Sequence, residues 1–144
     1  MAKVLIIEDE ESIRRLIRYD LQSVGYEVDS ASDGETGFDL ALSNLYEVII
    51  IDWMLPKKDG LTVIRDLRAN GNKSILIMIT AKDEEADILE AFDAGADDYI
   101  TKPFSPRQLQ ARIKAHRRRL PSNDSNMLTL GNLAINRSLY EVYV

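Results

Sequence analysis

Short apolar runs alternate along the chain with segments in which apolar residues recur at helical spacing. Residues 4–7 form a wholly apolar run, as expected for a strand that is buried on both faces. The following segment has helical periodicity, with apolar residues at Ile13, Leu16, Ile17, Leu21 and Val24. Gly25 then predicts the end of the first helix.

Four more units of a strand and a helix follow in the same pattern. We predict strands at residues 26–31, 48–51, 75–79 and 99–101. Asp33 is a predicted N-cap, and Ser105 followed by Pro106 marks the start of the fifth helix. The fourth helix is predicted at residues 86–94 and closed by Gly95. The apolar positions expected to be buried on the last four helices are Phe38, Leu40, Ala41, Leu45, Leu61, Ile64, Leu67, Leu109 and Ile113.

Five strand–helix units in strict alternation predict an α/β fold with a parallel, doubly wound sheet and right-handed crossovers. A five-stranded sheet of this class commonly has the flavodoxin-like order 2-1-3-4-5. Ligands of such sheets bind at the carboxyl ends of strands one and three, where the crossovers diverge.

The length and composition suit one compact soluble domain with few residues left over. The 144 residues include no cysteine, which excludes disulfides and thiolate metal sites. No apolar run reaches the ~18–20 residues needed to span a bilayer, and no signal-peptide pattern is present. We therefore expect a cytoplasmic protein with no membrane partner. The net charge of −6 argues against a nucleic-acid-binding surface over the whole chain.

Charged and hydroxyl side chains follow four of the predicted strands. Glu8 and Asp9 follow strand one, Asp52 ends strand three, Thr80 ends strand four and Lys102 follows strand five. Each alone has an ordinary explanation as a solvated loop acid, a helix cap or a surface lysine. Because the carboxyl ends of neighbouring parallel strands meet at one edge, all of them together predict a site.

Clustered carboxylates repel one another unless a cation lies between them. Mg²⁺ fits best, because it prefers oxygen ligands and accompanies phosphate, whereas zinc prefers nitrogen and sulfur ligands. A carboxylate beside Mg²⁺ can attack phosphorus to form an acyl phosphate. The residue types therefore predict phosphoryl chemistry at Asp52.

The motifs around these residues resemble the receiver domains of two-component response regulators. The segments are "VLIIEDEESIRRLI", "IIIDWMLPKKDGLTVIRDLR", "ILIMITAKDEE" and "GADDYITKPFSP". The resemblance covers residues 2–119, and "DWMLP" and "ADDYITKPF" are typical of the OmpR/PhoB subfamily. It implies a CheY-like fold and a partner that is a sensor histidine kinase.

The resemblance also implies a role for each site residue. Asp52 would be the phosphoacceptor, Asp9 a direct Mg²⁺ ligand and Glu8 a ligand through water. The main-chain carbonyl of Met54 would be the third protein contact to the metal. The phosphoryl-binding and switch residues would be Thr80, Ala81, Lys102 and Tyr99. The domain would assist its own phosphoryl transfer and autodephosphorylation and would not be an enzyme for a separate substrate. The Lys102–Pro103 bond matches a position that is cis in the family.

The implied mechanism is a population shift in which Thr80 is drawn inward, Tyr99 follows, and a homodimer forms. The dimer face would comprise helix four, strand five and helix five. The residues that match the subfamily's charge pattern are Asp93, Asp97, Asp98, Arg112, Lys114 and Arg119. Ile88 stands in place of a basic residue and Gln108 in place of an acidic one, so one customary salt bridge is missing. We expect an exposed Ile88 to add apolar contact area and the dimer to be less sensitive to salt.

The predicted domain organisation is a receiver at residues 1–120, a linker at 121–127 and the start of a further domain at 128–144. The last segment resembles the opening antiparallel strands of an OmpR/PhoB-type winged-helix domain, cut short before its recognition helix. DNA would therefore be bound only through the missing remainder of that domain.

Three other functions fit the sequence less well than a transcriptional regulator. A stand-alone chemotaxis-type receiver would have no reason to continue into a linker and strands. A haloacid-dehalogenase-type phosphatase requires an Asp two residues after the nucleophile, and this chain has Met54 at that position. A flavodoxin needs a hydroxyl-rich first loop for phosphate, whereas residues 8–11 are all acidic.

Overall fold

The computed structural model describes residues 2–118, and within them five strands alternate with five helices. All strand pairs are parallel, and the strand order β2-β1-β3-β4-β5 confirms the predicted topology. Residues up to Ile113 form one compact unit. The elements are β1 (Lys3–Ile7), α1 (Glu11–Ser23), β2 (Glu27–Ala31), α2 (Gly34–Ser43), β3 (Val48–Asp52), α3 (Gly60–Ala69), β4 (Ile75–Thr80), α4 (Glu85–Ala94), β5 (Asp98–Thr101) and α5 (Pro106–Arg118).

The sheet is buried on both faces, as the unbroken apolar runs predicted. Every residue of β3 and β4 is buried, and alternate side chains point to opposite faces. One face packs against α2, α3 and α4 through a cluster that includes Leu5, Ile49, Ile64 and Ala91. The other face packs against α1 and α5 through Ile17, Leu21, Leu109 and Ile113.

The predicted helix caps are confirmed. Asp33 accepts a hydrogen bond from the N–H of Thr36 at 2.7 Å, which holds the pKa of its carboxyl below the ordinary value. Ser105 accepts one from the N–H of Gln108 at 3.1 Å at the start of α5.

One of the predicted buried positions is wrong. Leu45 is 94% exposed because α2 ends at Ser43, and Tyr46 fills the core instead. Leu16 and Val24 are about half exposed, since α1 turns only Ile17 and Leu21 fully into the core. Phe38 and Leu40 are partly buried.

The structure does not describe the predicted linker at 121–127 or the antiparallel segment at 128–144, which lie outside residues 2–118. Among the helices of the described part, none has the length and apolar character needed to cross a membrane.

Candidate functional site

The predicted acidic cluster lies at the carboxyl edge of the sheet. Because β1 and β3 are neighbours, Glu8 and Asp9 at the end of β1 lie beside Asp52 at the end of β3. One oxygen from each of the three carboxylates lies within 4.8 Å of the others. Glu8 and Asp52 are buried, whereas Asp9 is exposed at the mouth of the cluster.

The ammonium of Lys102 lies among these carboxylates. Its Nζ donates a hydrogen bond to Asp52 Oδ2 at 2.9 Å and lies 3.1 Å from Glu8 Oε1. Glu10, which the sequence argument did not single out, lies 3.7 Å away on the exposed side. Burial alone would lower the pKa of Lys102, but the hydrogen bond and negative charge of Asp52, together with Glu8, raise it. Lys102 is therefore a permanent cation that offsets part of the local negative charge.

Glu8 is a buried carboxyl with one partner for each oxygen. Its Oε2 accepts the N–H of Glu10 at 3.0 Å, whereas the partner of its Oε1 is the Lys102 ammonium, 3.1 Å away. Burial raises the pKa of Glu8 to about 7; the charge of Asp52 adds to the rise, while Glu10 and Lys102 oppose it. Three carboxylates this close together, two of them buried, suit a hard divalent cation. The donor set thus fits the predicted Mg²⁺.

Thr80 and Tyr99 lie on the neighbouring strands at the same edge. Asp52 pairs with Ile79 in the register of β3 and β4, so the fully buried Thr80 lies one step beyond it. Tyr99 is buried as well, and its hydroxyl donates a hydrogen bond to the main-chain carbonyl of Lys82 at 2.7 Å. Burial, with the charges of nearby acids, raises the pKa of Tyr99 to about 12. Ala81 is exposed beside Thr80, as expected for an open site.

Two glycines fix the loop that follows Asp52. A Cβ atom on Gly60 would collide with the main-chain carbonyl of Asp52, and one on Gly34 would collide with that of Lys58. The loop is thus pressed between the N-termini of α2 and α3. Within it, the N–H of Met54 donates to Asp52 Oδ1 at 3.2 Å, so the main chain of Met54 stays beside the acceptor carboxylate. The Lys102–Pro103 bond is cis, as the family resemblance implied.

The residues expected on the dimer face are not all exposed. Ile88 is partly buried against the core, so the expectation that it is exposed is wrong. The apolar residues that α4 exposes are Leu89 and Phe92, which the sequence argument missed. Asp98 is buried and receives a hydrogen bond from Arg112 at 2.7 Å within the same chain.

The other charged residues of this face have separate environments. Asp97 Oδ2 accepts hydrogen bonds from Arg68 at 2.9 Å and from the N–H of Leu76 at 2.8 Å. Asp93, Gln108 and Lys114 are exposed, and Arg119 lies outside the described residues. Three of the predicted charges, Asp97, Asp98 and Arg112, are therefore already paired inside the chain.

A contact between Lys82 and Trp53 also went unpredicted. The Lys82 ammonium lies over the indole ring, 4.5 Å from its centroid. The pair is separated by 29 positions along the chain, so no local pattern could have indicated it; the adjacency of the ends of β3 and β4 was the available signal.

Comparison with known proteins agrees with the motifs. Residues 4–114 match the family described as the response regulator receiver domain. The chain is 42% identical to the alkaline phosphatase synthesis transcriptional regulatory protein PhoP of Bacillus subtilis, with 98% of this chain and 63% of PhoP aligned. It is also 42% identical to the response regulator ArlR of Staphylococcus saprophyticus, with 100% of this chain and 64% of ArlR aligned. The chain thus spans somewhat less than two thirds of these relatives.

Solved structures share the fold. The receiver domain of the Francisella response regulator 1452 superposes with a TM-score of 0.80 at 34% identity, covering 83% of this chain and 98% of that one. The flavodoxin and phosphatase alternatives have no support in these matches. The chain belongs to the family of response-regulator receiver domains, and its relatives are regulators of the OmpR/PhoB type.

Proposed function

We propose that this chain is the phosphorylation-activated receiver of a two-component transcriptional regulator, with Asp52 as phosphoacceptor. The observation that carries the proposal is the environment of Asp52. One of its oxygens accepts a hydrogen bond from Lys102, and an oxygen of its carboxylate lies within 4.8 Å of Glu8 and Asp9. A buried carboxylate can attack phosphorus only where nearby cations offset the negative charge of the incoming phosphoryl group.

In the proposed transfer, an Asp52 oxygen forms a bond to phosphorus as the P–N bond of a phosphohistidine on the partner kinase breaks. Mg²⁺, held by Glu8, Asp9, Asp52 and the Met54 carbonyl, would neutralise charge on the phosphoryl oxygens. Lys102 would leave its contact with Asp52 Oδ2 and pair with a phosphoryl oxygen, while the Thr80 hydroxyl donates to another. The same groups would assist hydrolysis of the acyl phosphate by water.

The proposed output is a shift in the face formed by α4, β5 and α5. Drawing Thr80 toward the phosphoryl group favours the buried position of Tyr99, the position that the tyrosine occupies here. Exposed Leu89 and Phe92 would then supply apolar area for a homodimer. The relatives named as transcriptional regulatory proteins support a role in the control of transcription.

We propose that this dimer is less sensitive to salt than is usual for the subfamily. The Ile88 and Gln108 positions lack the customary charges, and Asp97 and Asp98 are already paired in the chain. Ultracentrifugation of the activated protein at about 50 mM and 500 mM salt measures this. A loss of dimer steeper than that of a subfamily member carrying the basic and acidic pair would contradict the proposal.

Phosphorylation itself is tested with Mg²⁺ and either acetyl phosphate or beryllofluoride. Wild type should respond through Trp53 fluorescence and dimer formation, whereas Asp52→Ala should not respond by either measure. Thr80→Ala is the matched second variant, which should accept phosphate yet fail to dimerise. If Asp52→Ala and wild type respond alike, Asp52 is not the acceptor.

A further inference from the structure

The short loop between β4 and α4 (residues 81–84) connects the acceptor site to Tyr99. It begins directly after Thr80, and Glu84 ends it as the N-cap of α4 without a side-chain capping hydrogen bond. Because this helix start has no side-chain cap, contacts elsewhere must determine the position of the loop. Three contacts meet at a single residue of the loop, Lys82.

The main chain of Lys82 contacts both residues of the proposed switch. Its N–H donates to Thr80 Oγ1 at 3.3 Å, and its carbonyl accepts the Tyr99 hydroxyl at 2.7 Å. Tyr99 is buried, and a buried hydroxyl without an acceptor is costly. The inward position of Tyr99 therefore depends on where the Lys82 carbonyl lies.

The side chain of Lys82 contacts the acceptor strand. Its ammonium lies 4.5 Å from the centroid of the Trp53 ring, within the range of a cation–π interaction. Trp53 follows Asp52 directly and is 7% exposed, so the ring is held firmly by its surroundings. Lys82 is also the one basic residue among positions 81–90, which include five acidic residues.

We propose that Lys82 is a positioning residue whose ammonium, held on the Trp53 ring, fixes the 81–84 loop so that its carbonyl accepts the Tyr99 hydroxyl. The contact would couple the strand that carries Asp52 to the residue that reports its phosphorylation. The proposal rests on the proposed function in assigning Tyr99 a switch role. The contact itself exists without any phosphoryl group and can be tested without one.

The test uses the full chain labelled with 3-fluorotyrosine and observed by ¹⁹F NMR, without phosphoryl analogue. Tyr99→Phe assigns the Tyr99 signal among the six tyrosines. Lys82→Met removes the charge and keeps a long side chain, and Trp53→Leu removes the ring and keeps the charge. Each should lower the ratio of buried to outward Tyr99 roughly two- to fivefold, the range for a partly exposed cation–π contact.

Three comparisons distinguish coupling from a general loss of structure. Lys82→Arg keeps the cation over the ring and should restore the wild-type signal. The double variant should be no worse than either single variant, since both remove one interaction. Lys73→Met, an exposed lysine before β4, should leave the signal unchanged. If Trp53→Leu is unstable, Trp53→Phe, with a weaker ring, should give an intermediate shift.

The proposal is overturned if Tyr99 responds to Lys82→Met but not to loss of the Trp53 ring, because charge alone would then act. It is equally overturned if neither variant changes the signal. A separate titration with beryllofluoride and Mg²⁺ examines dimer formation. If wild type fails to dimerise in that titration, the proposed function fails while the ¹⁹F result on Lys82 still stands.

Discussion

Replacing Lys102 with methionine would remove the cation that lies among the buried carboxylates and keep most of its volume. At an effective dielectric constant of about 20, unit charges at the observed 2.9 Å and 3.1 Å attract by roughly 5–6 kcal/mol each. Desolvation cancels much of this attraction, and breaking a buried ion pair costs about 3–5 kcal/mol in practice. Because Lys102 keeps some solvent exposure, we expect a loss of about 2–4 kcal/mol in unfolding free energy at pH 8.

Urea denaturation in the presence of a chelator measures this loss, with Lys73→Met as the surface control. The loss should shrink at pH 6, because Glu8, with a pKa of about 7, takes up a proton and no longer needs a cation. Added Mg²⁺ should also narrow the gap, since the metal binds only the folded protein and enters a more negative site. Equal stability of Lys102→Met and wild type at pH 8, or a larger loss at pH 6, would refute the reasoning.

Three further predictions concern the effects of Gly34, Arg68 and Glu8 on stability. Gly34→Ala places a Cβ against the main-chain carbonyl of Lys58 and should therefore lower the unfolding free energy by about 3 kcal/mol or more in thermal melts. The control Ser43→Ala, at the exposed end of the same helix, should be about as stable as wild type. Arg68→Met removes four hydrogen bonds, including the one to Asp97, and should cost about 2–4 kcal/mol by denaturation; a loss under about 1 kcal/mol would show the network to be dispensable. Between pH 5 and 7, folded Glu8 holds its proton while the unfolded chain, with the ordinary pKa of 4.5, has lost it. Stability without metal should therefore fall as pH rises through this window, and Glu8→Gln should abolish the slope in urea titrations.

Much of the fold followed from local pattern. The unbroken apolar runs of β3 and β4 required burial on two faces, and caps such as Asp33 located the helices. One error came from extending the helical periodicity past the end of α2, to Leu45. Another came from expecting Ile88 to be exposed because its neighbours on the helix are acidic.

The carboxylates and lysine of the candidate site were predictable because parallel strands bring their ends to one edge. The contacts of Lys82 and Arg112 were not, because each depends on the side-chain conformations of residues in different elements. Local spacing carries no information on which of several acids a given cation will contact.

The position of Lys102 in the sequence determines when, during synthesis, the site becomes complete. It lies 50 positions after Asp52 and 94 after Glu8, so every carboxylate of the cluster leaves the ribosome well before the ammonium that offsets them. A nascent or truncated chain without β5 carries the acids but lacks the cation. If Asp52 is the phosphoacceptor, such a chain would repel an incoming phosphoryl group, and transfer would be restricted to molecules whose last strand has joined the sheet.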